Sequence, residues 1–516
     1  MSGNADGGIA RRFHDVTTHT PYSVRTSGHT LDWDVKPFPF KVYTDRPAVE
    51  LPRTFDPIGM DALEAVADGH PAAGTLDLER LAGVLYMTAG VTRKKVYGPG
   101  AEVLFRAAAS TGALYQTEVY VAVGAVSGLA PGLYHFCPGD FTLRLLREGD
   151  VRGALARAAA APELGGRAAT IVLTAIYWRN TWKYQARGFR HLYWDSGTML
   201  ANLLAAGDAL GLTPALYTGF VDAEVNHLLG VDSHRETTLE LVGVGARGAA
   251  APDPGVLPAI AHETMPLSSN EVDYPALREM VEASRLDSPE VVAAWRRAGE
   301  APSPRRATGA MVPLPAPRAR AGRSLGDTIQ RRGSTRQFAH DPIAAVDLAT
   351  ALWAATRPIP ADVPSGLVEL FLIVNAVEGI EPGAYRYLPQ AHALETIKLG
   401  AFRDRAGYLC LEQPIAADAA AVIYFLTPLA ALIARWGNRA YRLANLEAGI
   451  DGGRAYLAAY SQGFGASGLT FYDQVVVEFF APASAGLEAI FVTALGQSVR
   501  APRAPVIDRL SRPRTD

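Results

Sequence analysis

Three guanidinium groups and two hydroxyls fall close together in Arg331-Arg332-Gly333-Ser334-Thr335-Arg336-Gln337-Phe338, just after a leucine-bearing amphipathic stretch. Arginine forks meet phosphate oxygens through charge-assisted, often bidentate hydrogen bonds, whereas a merely solvated surface would as readily use lysine and glutamate. The chemistry suggested is retention of a phosphate, with an exposed basic turn as the alternative. Other candidates carry less. His135, His191 and His227 are scattered without ligand spacing and read as structural histidines. The loop at Ser110 lacks the acid and histidine that a serine nucleophile needs. No glycine-rich dinucleotide fingerprint follows a strand, so reduced nicotinamide would enter only as a diffusible substrate.

The elements that position such groups must come from more than one core, because 516 residues exceed what a single core fills. With 49% hydrophobic and 20% charged residues the composition is that of a folded globular protein. A net charge of -3 gives no electrostatic grip on nucleic acid or anionic lipid. Cys137 and Cys410 are isolated, which excludes a cysteine zinc cluster and argues against a disulfide framework. The opening residues have no apolar signal core, so the expected location is cytoplasmic. The most apolar stretch, 419–434, is broken by Pro428 and falls short of the roughly 18 to 20 residues of a bilayer span. It reads as a buried strand running into a buried helix.

Laid against itself, the chain shows a repeat. Leu129-Ala130-Pro131-Gly132-Leu133-Tyr134-His135-Phe136 matches Ile380-Glu381-Pro382-Gly383-Ala384-Tyr385-Arg386-Tyr387 at an offset of 251. Arg187-Gly188-Phe189-Arg190 with Asp195-Ser196-Gly197 matches Arg439-Ala440-Tyr441-Arg442 with Glu447-Ala448-Gly449 at an offset of 252. Leu81-Ala82 also echoes Leu348-Ala349. Each unit reads as α+β layers. Strands are expected at about 119–123, 132–136 and 170–175 with a long helix at 196–210, and again at 370–374, 384–387 and 421–426 with a helix at 446–460.

Residues 1–53, aromatic and proline-rich, read as an ordered strap before a first unit at 54–248. A connector at 249–323 follows, then a second unit at 324–516. The connector's middle, 274–297, has helical periodicity, and its Pro/Arg-rich tract 301–321 reads as a mobile or wrapped linker.

The strap, the Arg-Arg-Gly-Ser-Thr-Arg-Gln-Phe motif, Ser110-Thr111-Gly112-Ala113-Leu114-Tyr115-Gln116, Pro131-Gly132-Leu133-Tyr134-His135, Lys183-Tyr184 and the segment 266–275 together resemble the SagB-type azoline dehydrogenases of the FMN-dependent nitroreductase superfamily. The resemblance runs from about His14 to Gln497. It implies tandem nitroreductase-like domains forming an intramolecular pseudo-dimer that binds FMN and oxidises thiazoline or oxazoline rings of a ribosomal peptide to thiazole or oxazole. Only the second unit has the phosphate motif; the first has Leu51-Pro52-Arg53-Thr54-Phe55 instead. Conversely, the second unit has Ala361-Asp362-Val363-Pro364-Ser365-Gly366 for the Ser110 loop and Arg435-Trp436 for Lys183-Tyr184. One composite flavin site is expected.

In that site the resemblance assigns Arg332, Ser334 and Arg336 to the phosphate, with Arg500 or Arg503 as a further contact or a solvated tail arginine. Ser110, Gly112, Leu114 and Gln116 would cover the ring, and the 465–470 loop, through Gly468 and Leu469, would meet its N5 and O4 edge. Lys183 and Tyr184 match the pair the family requires for azoline oxidation. Tyr184 would take the carbon-bound proton, with the Lys183 ammonium favouring its phenolate, while hydride passes to flavin N5 and oxygen later reoxidises the flavin. On residues alone, 182–184 also reads as an aromatic helix start with a snorkelling lysine. Implied partners are an azoline-containing precursor peptide and a cyclodehydratase or leader-binding protein. Whether the fused unit pairs again as a homodimer is left open. The rival readings are a nicotinamide-dependent flavin reductase of a small alkene, nitroaromatic or quinone, and a flavin-free peptide-binding scaffold.

Overall fold

The apolar runs near 119–123 and 370–374 become the central strands of two separate sheets in the computed structural model, which describes residues 3–55, 57–67, 74–98, 101–124, 126–303 and 305–500. In the first unit the strands are β1 (Ala48–Glu50), a hairpin β2 (Val91–Gly98) and β3 (Ala101–Arg106), then β4 (Thr117–Val123), β5 (Gly132–Cys137), β6 (Thr142–Glu148), β7 (Arg167–Ile176), β8 (Ala215–Tyr217) and β9 (Glu236–Arg247). The second unit has β10 (Met311–Pro313), β11 (Glu369–Val374), β12 (Gly383–Leu388), β13 (Ala393–Leu399), β14 (Ala421–Thr427), β15 (Gly465–Gly468) and β16 (Glu488–Gly496). The sheet orders are β1-β6-β5-β4-β7-β9-β8 and β10-β13-β12-β11-β14-β16-β15. They are the same topology written twice, which establishes the duplicated α+β fold. Every residue of β4 and β14 is buried, the reason 119–123 and 421–426 read as continuous apolar and aromatic runs rather than alternating ones.

Across the middle, the helix Gly188–Ala209 packs on its counterpart Ala440–Gln462. The crossing is tight because glycine stands on both sides. A Cβ on Gly449 would lie 2.6 Å from the carbonyl oxygen of Trp194, and one on Gly197 would lie 2.6 Å from that of Leu446. Trp194 Nε1 donates to Asn445 Oδ1 at 2.7 Å at the same crossing.

Reciprocal buried ion pairs then lock the units. Arg187 and Arg190 of the first unit reach Asp473 of the second at 3.0 and 2.5 Å. Arg439 and Arg442 of the second reach Asp222 of the first, each at 2.7 Å. The recurring arginine pair is therefore an interface device, and the two units form an intramolecular pseudo-dimer.

Both long helices begin earlier than the apolar pattern suggests, at Gly188 and Ala440, because their first turns bury these arginines rather than an apolar stripe. The connector holds two helices, Pro275–Ala283 and Pro289–Arg296, instead of one; Ser288 caps the second, accepting from Val291 N. The Pro/Arg-rich tract is wrapped and tied down: β10 pairs with β13, Arg305 pairs with Glu369, and Glu395 accepts from Thr308 N and Gly309 N. The strap is ordered too, with Phe38 N donating to Leu267 O and Trp182 Nε1 to Asp32 O. The 419–434 stretch is β14 followed by a helix, Leu429–Trp436, and no helix among the described residues is long and apolar enough to cross a membrane.

Candidate functional site

The arginine motif follows a short helix, Leu325–Arg331, capped by Ser324, whose Oγ accepts from Asp327 N. Arg332 then turns across the unit boundary: its Nε donates to Ala107 O at 2.8 Å and its Nη2 to Arg106 O at 2.9 Å. Thr335 N donates to Ala466 O at 2.9 Å, laying the motif along β15. Only glycine fits there, because a Cβ on Gly465 would lie 2.1 Å from Thr335 Oγ1. The 465–470 segment expected as a loop thus begins as an edge strand, hydrogen-bonded to β16. Ser334 Oγ lies 3.3 Å from Tyr456 Oη, which accepts from Gly468 N at 2.5 Å; Leu469 N donates to Val492 O. Arg336 is exposed. Arg500 is exposed as well, and Val499 N donates to Gln337 O at 3.2 Å, bringing the tail beside the motif. Arg503 lies outside the described residues.

From the first unit, the helix Tyr177–Tyr184 brings Lys183 and Tyr184 in its last turn, where Gln185 (φ 52) ends it. Buried Arg179 fixes this helix by pairing with Glu118 and donating to Tyr115 O and Phe38 O at 3.1 Å, so helix, Ser110 loop and strap share one anchor. Lys183 Nζ is 5.4 Å from the centre of the Tyr184 ring, and the His191 ring packs edge-on to Tyr184 at 4.3 Å. Gly112 (φ 64) gives the Tyr184 hydroxyl room: a Cβ there would come to 3.0 Å from Oη and 3.4 Å from Leu114.

Asp195 gathers the Ser110 loop. Its carboxylate accepts from Ser110 Oγ (2.6 Å), Thr111 N (2.9 Å), Thr111 Oγ1 (2.7 Å) and Gln116 Nε2 (2.8 Å). The side chains of Ser110 and Gln116 therefore hold the loop's shape, leaving Gly112 and Leu114 beside Tyr184. Burial pushes the Asp195 carboxyl up to about 6, with these hydrogen bonds pulling it back. Asp195 went unassigned from sequence, although its place in the repeat opposite Glu447 was the available signal: Glu447 accepts from the amides of Gly366, Leu367 and Val368 in the equivalent loop.

The electrostatics bear on one expectation. Burial and the Asp195 carboxylate raise the Tyr184 hydroxyl well above its usual value, with Arg336 opposing, so the phenolate is disfavoured. Lys183 is pushed down by burial and then by Arg336. Both shifts run against the expected pairing of a phenolate with an ammonium. Arg336, from the arginine motif of the other unit, is thus among the charges acting on both residues. Neither Arg332 nor Arg336 has an ion-pair partner among the described residues, which suits a donor set meant for an external phosphate. Among those residues no cluster could hold a metal ion.

The pseudo-symmetric position is closed. Leu216 N of β8 donates to Pro360 O at 2.7 Å and Asp362 N returns to Leu216 O at 3.0 Å, so the strand equivalent to β15 pairs directly with the loop equivalent to Ser110. Asp362 seals the seam by accepting from Thr218 N and Gly219 N. The residual cavity of about 20 Å³, beside Leu216, Val363 and Ile450, admits at most about one water.

A duplicated α+β fold, with the arginine motif and Lys-Tyr pair at one interfacial position and a backbone-sealed seam at the other, defines a fused two-domain architecture. The sequence pattern of the Nitroreductase family matches residues 101–246 and 329–496, more than half of the chain, and the chain belongs to that family. The curated protein named "Putative nitroreductase MJ1384" from Methanocaldococcus jannaschii is 29% identical over 173 residues, covering 33% of this chain and 82% of its own length. The crystal structure of a putative nitroreductase from Anabaena variabilis superposes with a TM-score of 0.75 at 27% identity, covering 95% of this chain and 99% of that one.

Proposed function

We propose that this chain is an FMN-dependent dehydrogenase that oxidises thiazoline or oxazoline rings in a ribosomally made peptide to the aromatic azoles, as its resemblance to the SagB-type enzymes implies. The observation that carries the reading is the placement of Lys183 and Tyr184, from one unit, within the field of Arg336 on the phosphate segment of the other. Arg332, Ser334, Arg336 and Arg500 would hold the phosphate. Gly468 and Leu469 on one side and Gly112 and Leu114 on the other would bound the ring, with Ser110 and Gln116 fixing the covering loop through Asp195. FMN, when bound, supplies a two-electron acceptor. Lys183, as the neutral amine, takes the proton from the azoline carbon, and Tyr184 keeps its proton and orients the substrate by donating a hydrogen bond.

A peptide needs more room than a small quinone. A cleft of about 720 Å³, lined by Trp178 and Thr181 of the Lys-Tyr helix and by Arg235, Asn270 and Tyr274, supports the reading by giving a peptide segment room on the same helix as Lys183 and Tyr184. A cyclodehydratase or leader-binding protein that delivers the azoline is the partner this reaction calls for.

The likeness over almost the full chain to a protein described as a nitroreductase favours a second reading, reduction of a small molecule at the expense of reduced nicotinamide. Anaerobic stopped-flow spectroscopy separates the two. The proposal expects one flavin per chain, bleached by an azoline-bearing peptide and only slowly by reduced nicotinamide. Rapid bleaching by reduced nicotinamide, with none by the peptide, selects the reductase.

A further inference from the structure

Between its Leu78–Ala89 helix and the Ser110 loop, the first unit carries the β2–β3 hairpin. The second unit passes from its Ala345–Ala355 helix to the equivalent loop at Ser365 and Gly366 without one. Hairpin and arginine motif are thus both confined to the unsealed position, and the sealed one has neither. The contact between them is made by Arg93 of β2. A Cβ on Gly333, at the centre of the motif, would lie 3.5 Å from Arg93 Nη1 and 3.9 Å from Nη2, so this guanidinium lies against the motif backbone. It is stacked 4.5 Å from the centre of the Phe105 ring, its cross-strand neighbour on β3. Lys94, on the alternate face of the strand, pairs with Glu102 at 2.5 Å.

The charges of Arg332, Arg106 and Arg93 also converge on the Tyr115 hydroxyl, which accepts from Arg106 N at 3.1 Å. Arg332 has two of its three nitrogens committed to the carbonyls of Ala107 and Arg106. That leaves it only part of a fork for a dianion, and a phosphomonoester at this motif needs a further cation nearby.

We infer that Arg93 is a phosphate-binding residue contributed by the first unit, closing the hairpin over a motif that belongs to the second. The inference deepens the flavin reading above and rests on it: the ligand class is a planar ring system ending in a phosphomonoester, held from both units at its phosphate. The grip then requires the units to be docked, whereas a motif acting alone would not.

The test compares FMN with riboflavin, which lacks only the phosphate, by quenching of flavin fluorescence on titration into the flavin-free full-length protein. Arg93→Ala is expected to weaken FMN by about tenfold or more and leave riboflavin unchanged, the loss of roughly one charge-assisted hydrogen bond. Arg93→Lys is expected to fall between, since it keeps the charge and loses the fork. Arg93 is exposed, so an unchanged melting temperature should accompany both variants. An FMN affinity within about twofold of the unaltered protein, or equal losses for the two ligands, overturns the inference. Should the unaltered protein bind FMN no better than riboflavin, the phosphate reading itself fails and takes Arg93 with it, a result visible before any variant is made.

Discussion

Lys183 and Tyr184 are neighbours in sequence, yet their surroundings push their protons in opposite directions. Burial and Arg336 lower the ammonium, while burial and Asp195 raise the phenol. Removing Lys183 as Lys183→Met is therefore expected to cost about 100-fold or more in the rate of azoline oxidation, and Tyr184→Phe about tenfold, with flavin content retained. For a base that must be neutral, kcat/KM should climb as pH rises toward the lowered lysine value. Lys183→Arg, which does not lose its proton in this range, should abolish that climb. A steeper loss in Tyr184→Phe than in Lys183→Met, measured on the same peptide, would return the proton to the tyrosine.

Helices and strands explain which parts of this arrangement were readable in advance. Strands β4, β5, β7, β11, β12 and β14 announced themselves because each carries a run of β-branched, apolar or aromatic residues, and the repeat gave the duplicated topology. The β2–β3 hairpin did not, since Thr92-Arg93-Lys94-Lys95 is a polar run with no buried face to leave an apolar pattern. Likewise the opening turns of the long helices bury Arg190 and Arg442, whose partners are more than 200 residues away in the chain and invisible to local periodicity. At the site, the arginine motif was legible as a concentration of charge, whereas Asp195 showed in the sequence only as a repeat position opposite Glu447, and its hydrogen bonds to the Ser110 loop give that position its role. The glycine crossing makes a prediction of its own. In Gly449→Ala the new methyl meets backbone, 2.6 Å from Trp194 O and 2.9 Å from its Cα, which cannot rotate away. A loss of about 1–3 kcal/mol is expected, read from denaturant midpoints, with reduced flavin binding because both site walls ride on these helices. Unchanged stability would mean that the crossing is looser than described.

The two units are held by carboxylates whose charge is maintained against burial. Desolvation alone would favour protonated Asp473 and Asp222, but Arg187 and Arg190 hold the first, and Arg439 and Arg442 the second, below the ordinary aspartate range. A depressed carboxyl contributes stability that is complete above its unfolded value near 4 and is lost as pH falls further. Acid should therefore loosen the docking of the units before it unfolds their sheets, observable as flavin release ahead of the far-ultraviolet transition on titration from pH 5 downward. Asp473→Asn is expected to destabilise by about 3–5 kcal/mol at neutral pH by leaving two buried guanidinium groups uncompensated, and to flatten the acid limb. Reciprocal ties stand on both sides of the pseudo-axis, while backbone pairing of Leu216 with Pro360 and Asp362 seals only one of its two seams. In an assembly of two identical chains, any change that blocks one cleft blocks both. A single fused chain is free of that constraint, so one of its two pseudo-equivalent seams can be stitched shut as internal bracing while its counterpart keeps a different lining.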